Sequence, residues 1–315
     1  MEKRALRAVS SKAGCALLAV CALQLAAVPI ALLRPRLPFM SDELWFTLMV
    51  LLSSLTVLGG ALLGRRLFGV TFFARDVETH GCASPVNESR ASLPDSLLLV
   101  IAGAALCMAG NFANLLVERL AGRAGIEFLG GPEPVAPQNS FGLLLALLTT
   151  GLLPAVAEEL LLRGVILPPL RRFGNGFAIT CAAALFALLH QNMEQAPMAF
   201  VSGLALGWVY VRGGRLALPI LVHLWNNAAA VALLALPERA EVIYMLALSA
   251  AGLLSALYLY LRRPKDNKGG RPKPMKALCG LSPGSGAANF FFGSAAMILA
   301  LGYFVVMIIL NTKIM

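Results

Sequence analysis

Of 315 residues, 58% are hydrophobic and 13% charged, and a mean hydropathy of +0.77 is more apolar than one globular core can hide. A bilayer is therefore the main solvent, which leaves no room for a large soluble domain. The net charge of +10 does not point to nucleic acid, because Lys and Arg stand in short runs at the ends of apolar segments, where they set membrane topology.

The basic start, Met1 to Lys12, leads into an apolar run over 14–33. That run is long for a signal peptide and ends in no small-residue cleavage site, so a retained first span is expected. One crossing takes about 20 apolar residues. Further segments at 44–64, 96–117, 140–167, 176–190, 197–211, 216–236, 241–261 and 289–311 predict an all-α fold, a polytopic transmembrane bundle of about eight or nine helices. The fifth and sixth are short for full spans. Basic residues collect at Lys3/Arg4/Arg7/Lys12, Arg65/Arg66, Arg171/Arg172, Arg212/Arg215 and along Arg262–Lys276, on alternate loops, while the opposite loops carry Asp42/Glu43, Glu118/Glu127/Glu133, Glu194 and Glu238/Glu241. This pattern predicts a cytoplasmic N-terminus.

The stretch 68–94 is a polar interruption, and its Asn87-Glu88-Ser89 sequon has no bearing on a cytoplasmic loop. Residues 262–288, rich in Lys, Pro and Gly, read as a flexible basic linker before a last, lone helix expected to pack peripherally. The chain divides into N-terminal helices and loops (1–139), a central core (140–261), the linker (262–288) and a C-terminal helix (289–315). Six cysteines form no CxxC pair and read as small apolar fillers.

Ionisable groups in a bilayer cost at least about 2.5 to 3.5 kcal/mol each, so those in the central segments need a reason. Between Glu133 and Glu238 the carboxylates are Glu158, Glu159 and Glu194, and two of the three histidines, His190 and His223, fall in the same region. Glu159 and Arg163 share a helix face, whereas Glu158 is turned about 100° away. One glutamate can be paired while the other stays free. Phe186 stands one turn from His190, and His223 one turn from Asn227. Counting about 1.5 Å per residue from the basic ends puts Glu158 about 20 Å deep, His190 about 22 Å, His223 about 10 Å and Asn227 about 16 Å. The arithmetic permits one site opening toward the cytoplasm. On these residues alone a protease and a proton-coupled transporter are equally good readings.

The patches Glu158-Glu159-x-x-x-Arg163, Phe186-x-x-x-His190 and His223-x-x-x-Asn227, in that order and each in its own apolar segment, resemble the motifs of the CAAX protease and bacteriocin-processing (CPBP) family, which includes type II CAAX prenyl endopeptidases. The resemblance covers about 140 to 236. It implies an intramembrane glutamate-type endopeptidase in which Glu158 is the general base toward a water, His190 helps hold that water, and His223 with Asn227 stabilises the oxyanion. Glu159, Arg163 and Phe186 would support them. No cofactor is expected; the alternative is zinc on Glu158, His190 and His223, although the HExxH helix of common zinc peptidases is absent. The implied partners are a peptide or lipidated-peptide substrate and the lipid bilayer, in a multi-pass protein of a bacterial plasma membrane. A non-catalytic bacteriocin-immunity or scaffold protein of the same fold is the alternative.

Overall fold

The computed structural model describes residues 2–72, 91–128, 136–234, 236–261 and 286–314. The 87–89 sequon, Cys82, Cys279 and nearly all of the 262–288 linker lie outside them. Among the described residues ten helices follow one another: α1 Glu2–Ala31, α2 Asp42–Phe68, α3 Leu93–Arg123, α4 Ser140–Phe173, α5 Asn175–Leu189, α6 Ala196–Gly213, α7 Ala217–Leu233, α8 Glu238–Leu261, α9 Ala287–Phe292 and α10 Ala295–Leu310. Each expected apolar segment is helical, the last being broken at Gly293–Ser294 into α9 and α10. Five helices, α1, α2, α3, α4 and α8, are long and apolar enough to cross a membrane, and α5, α7 and α10 are shorter apolar helices. The protein is an integral membrane helix bundle.

The helix boundaries follow local chemistry. Ser41, Ser92 and Asn139 cap α2, α3 and α4 by accepting hydrogen bonds from the backbone N–H of Leu44, Asp95 and Gly142, satisfying donors that have no partner within the helix. Gly69, at φ 65°, ends α2 in the left-handed cap that glycine adopts most easily. Large apolar side chains such as Leu97, Phe112, Leu116, Leu246 and Leu253 are exposed on the outer helix faces, as a lipid solvent requires.

α3 packs against α6, α7 and α8; α5 lies on α6; and α1 lies against α2, α9 and α10. The last helix exposes an outer face at Ile298, Leu299, Val306 and Ile309, while its inner face is packed closely on α1. Met297, Ala300 and Phe304 of α10 and Phe291 of α9 are completely buried. The reason lies in α1, where a Cβ on Gly14 would fall 2.4 Å from the backbone nitrogen of Met297, so the two helices approach backbone to backbone. The Ser10 hydroxyl donates to the Phe291 carbonyl and pairs with the Ser294 hydroxyl at 2.7 Å, and Ser294 in turn caps α10. A further departure from pure helix is one small antiparallel pair, β1 (Ile126–Phe128) with β2 (Thr312–Ile314), which fastens the residues after α10 to those after α3.

The antiparallel course of the helices gathers the described basic clusters at one end. Lys12 near the start of α1 lies over the ring of Phe68 at the end of α2, 5.5 Å from its centroid, and the backbone of Ala91 before α3 bonds to that of Gly213 at the end of α6.

Candidate active site

α4 carries both glutamates and is not a regular helix. Its turns widen to five residues over Leu147–Leu152 and again over Leu160–Ile166, on either side of Glu158 and Glu159. Prolines at 154, 168 and 169 account for the irregularity, since each lacks the N–H that a regular turn would use. Pro154 in particular cannot donate to the carbonyl four residues earlier, that of Thr150. Asn227 of α7 donates to that carbonyl instead, from Nδ2 at 3.2 Å.

Glu159 is completely buried and is the hub of the site. Its Oε1 accepts from Arg163 Nη1 at 2.8 Å and lies 3.1 Å from His223 Nδ1. Arg163, also completely buried, extends its other amino group to the Gly203 carbonyl of α6 at 2.8 Å and lays its guanidinium on the Phe186 ring, 5.2 Å from the centroid. A side chain at Gly203 would meet the backbone of Ala183 at 2.8 Å, so glycine there is what lets α5 and α6 close on this cluster. One ion pair thereby joins α4, α5, α6 and α7.

Phe186 organises the two histidines. Its ring meets His190 edge to face at 4.9 Å between centroids and His223 at 5.6 Å, and its carbonyl accepts from His190 Nδ1 at 2.9 Å. A carbonyl only accepts, so His190 carries its proton on Nδ1 and, when neutral, leaves Nε2 as an acceptor. His223 is likewise held at Nδ1, by Glu159, and its Nε2 faces Glu158 Oε2 at 3.9 Å, beyond direct hydrogen bonding. That Oε2 is buried and makes no hydrogen bond among the described residues.

Glu158 and His190 line one cavity of about 390 Å3, together with Leu189 at the end of α5, Gln191 and Gln195 of the α5–α6 connection, Gln24 and Val28 of α1, Ser53 of α2, and Tyr303 and Met307 of α10. The structure thus brings Glu158, His190 and His223 together, with Phe186, Glu159 and Arg163 behind them. Asn227 is not on the cavity wall; it braces the widened turn before Glu158.

The expected opening toward the basic end is corrected by this wall. Gln24 and Val28 lie in the last turns of α1, Met307 lies in the last turn of α10, and Gln191 and Gln195 form the turn between α5 and α6, all remote from the basic ends of those helices. Counting residues along separate helices gave comparable depths for the glutamate and histidine, but it contains nothing about which helix ends surround them.

Among the described residues no three or more His, Cys, Asp or Glu side chains are grouped to hold a metal ion; both imidazoles are hydrogen-bonded at Nδ1, which leaves Nε2 as the atom each could offer to a ligand.

Residues 140–229, from α4 into α7, match the family model described as type II CAAX prenyl endopeptidase Rce1-like. This segment is an Rce1-like domain of the CAAX protease family. No curated protein and no solved structure matches the chain. At the level of the family, the match supports a CAAX-protease-like intramembrane endopeptidase. The match contains Glu158, Glu159, Arg163, Phe186, His190, His223 and Asn227, whereas half of the cavity wall, Gln24, Val28, Ser53, Tyr303 and Met307, comes from helices outside it.

The contact between His223 and Glu159 links positions 64 apart in sequence, so no helical spacing reveals it. Gln24 carried a signal of its own, as a polar amide in the middle of the first apolar segment, where hydrocarbon penalises it unless it finds a partner.

Proposed function

We propose that the protein hydrolyses an internal peptide bond of a membrane-associated or hydrophobic peptide, with Glu158 as general base. The observation that carries this reading is the pairing of Glu158 and His190 on one cavity wall, with His223 Nε2 only 3.9 Å from the carboxylate. A water placed there donates one hydrogen to Glu158 and the other to Nε2 of His190, which leaves its lone pair free to attack a carbonyl. As the C–O bond forms, Glu158 takes the proton, and the carbonyl oxygen becomes an oxyanion. His223, held at Nδ1 by Glu159, donates from Nε2 in its doubly protonated form. Asn227, off the cavity wall, gives an amide hydrogen to the Thr150 carbonyl and holds the widened turn that precedes Glu158. Collapse of the intermediate breaks the C–N bond, and Glu158 returns its proton to the leaving amine.

Each donor to such an oxyanion contributes on the order of 3 kcal/mol, and general-base catalysis typically about 10²- to 10⁴-fold in rate. The reading needs no metal, and we place the N-terminus in the cytoplasm from the basic clusters. The deciding measurement is cleavage of an internally quenched apolar peptide by the full chain in proteoliposomes. Glu158→Gln and His190→Ala are expected to unfold at the wild-type temperature yet lose at least about 100-fold in kcat. Wild-type turnover in the Glu158 variant would sink the proposal. Activity lost with a stoichiometric metal on chelation would replace the water-only mechanism.

A further inference from the structure

Beside Glu158 and His190 the cavity presents three amide side chains, Gln24, Gln191 and Gln195, and no Lys or Arg among its lining residues. Gln24 and Gln191, separated by 167 positions, are bonded directly, Nε2 of Gln191 donating to Oε1 of Gln24 at 2.9 Å. That bond uses one donor and one acceptor. The Nε2 hydrogens of Gln24 and the Oε1 of Gln191 make no other hydrogen bond among the described residues. Such a pair offers the donor and acceptor that one peptide unit complements.

The backbone shows how firmly Gln191 is held. It is the one non-glycine residue with positive φ, 56°, among the described residues, directly after the α5 cap His190. Glycine is the usual solution at that place, because a side chain strains the left-handed conformation. Asn311, past the end of α10, donates from Nδ2 to the Gln191 carbonyl at 3.0 Å, and the Asn192 side chain accepts from the backbone of Gln195 at 2.7 Å. A plain interhelix clamp between α1 and the α5–α6 turn would need neither the strained backbone nor a place on the wall of the Glu158 cavity. Strain kept beside a reactive centre points to a constraint from function.

We propose that Gln24 and Gln191 bind the substrate main chain next to the scissile bond, Gln24 donating to a substrate carbonyl and Gln191 accepting from a substrate N–H. This rests on the peptidase reading and names its substrate class: an uncharged, extended peptide segment with apolar side chains, which Val28, Leu189 and Met307 receive. A free carboxylate finds no fixed cation at this wall, so recognition does not require a nearby chain end.

The test separates binding from cutting. The full chain carrying Glu158→Ala is placed in nanodiscs and titrated with a short, apolar, acetylated and amidated peptide bearing a fluorophore, read by anisotropy. Adding Gln24→Met, or Gln191→Gly, which suits the positive φ, is expected to weaken binding about three- to tenfold each, the effect of one neutral hydrogen bond. Scanning an ester in place of each peptide bond should find one position that weakens binding to the Glu158→Ala protein by a similar factor and leaves Gln191→Gly unaffected. Unchanged Kd in both glutamine variants, no such ester position, or no binding of the peptide at all overturns the proposal. Peptide that binds in this manner but is never cut by the wild type overturns the peptidase reading and leaves this one standing. Cutting with unchanged KM in both glutamine variants does the reverse.

Discussion

Glu159, Arg163 and His223 share a single carboxylate oxygen in a completely buried setting, a costly arrangement unless every member is held in place. Removing one partner leaves the others charged and desolvated. Arg163→Leu is therefore expected to lower the unfolding free energy by about 3 to 5 kcal/mol, measured by denaturant or thermal unfolding in detergent. A loss below about 1 kcal/mol would mean that water or a second cation compensates Glu159. Arg163→Lys is not a mild change, because an ammonium cannot span Glu159, the Gly203 carbonyl and the Phe186 ring together as the flat guanidinium does. The same residues show what spacing reveals and what it hides. The interval from Glu159 to Arg163 identifies their ion pair directly, and the 100° offset of Glu158 identifies the carboxylate left outside it. The contact of His223 depends on how α7 packs against α4, and neither helix states that alone.

At the scale of the element, α4 departs from ideal helix on either side of Glu158 and Glu159. Pro154 withdraws a donor from Thr150, and Asn227 returns one across the helix interface. This pairing makes a double-mutant cycle informative. Asn227→Ala in the native background strands a carbonyl and is expected to cost about 1 kcal/mol or more, whereas in a Pro154→Ala background, where the N–H is restored, the stability cost falls by most of that amount. Stability recovered while kcat stays low would show that Asn227 also acts on the substrate. Recovery of both would confine it to bracing α4, and equal costs in the two backgrounds would break the link to Pro154. The helices were legible as apolar runs with basic residues at alternate ends, to within a few residues at most ends, except that the last run is two helices. The widened turns were not, because five-residue turns arise where proline and neighbouring packing compete with regular hydrogen bonding, and apolar periodicity carries no trace of that contest. The burial of α10 was equally hidden. A helix facing lipid and a helix facing protein are both apolar, and the distinguishing sign, Gly14 on the opposite helix, acquires meaning only once Met297 is seen against it.

On the scale of the whole molecule, the matched domain carries Glu158, His190 and His223, and helices outside it supply half of the cavity wall. α1 and α10 lie together through Gly14 and Met297, and both reach the α5–α6 turn, through the Gln24 and Asn311 bonds to Gln191. The basic clusters gather at the opposite end, so the side from which a peptide reaches Glu158 is tied to the orientation of the bundle. With the basic end in the cytoplasm, the α5–α6 turn faces outward. Single cysteines in a background with all six native cysteines replaced by serine test this. Gln195→Cys, exposed beside the cavity, is expected to react with a membrane-impermeant maleimide in intact cells, and Gly176→Cys, exposed at the basic end with open space around it, only after permeabilisation. An apolar peptide occupying the cavity should slow labelling of Gln195→Cys and leave Gly176→Cys unchanged. The reversed labelling pattern would turn the bundle over and bring the peptide from the cytoplasm. Protection at neither position would detach the glutamine-lined cavity from the path of the substrate.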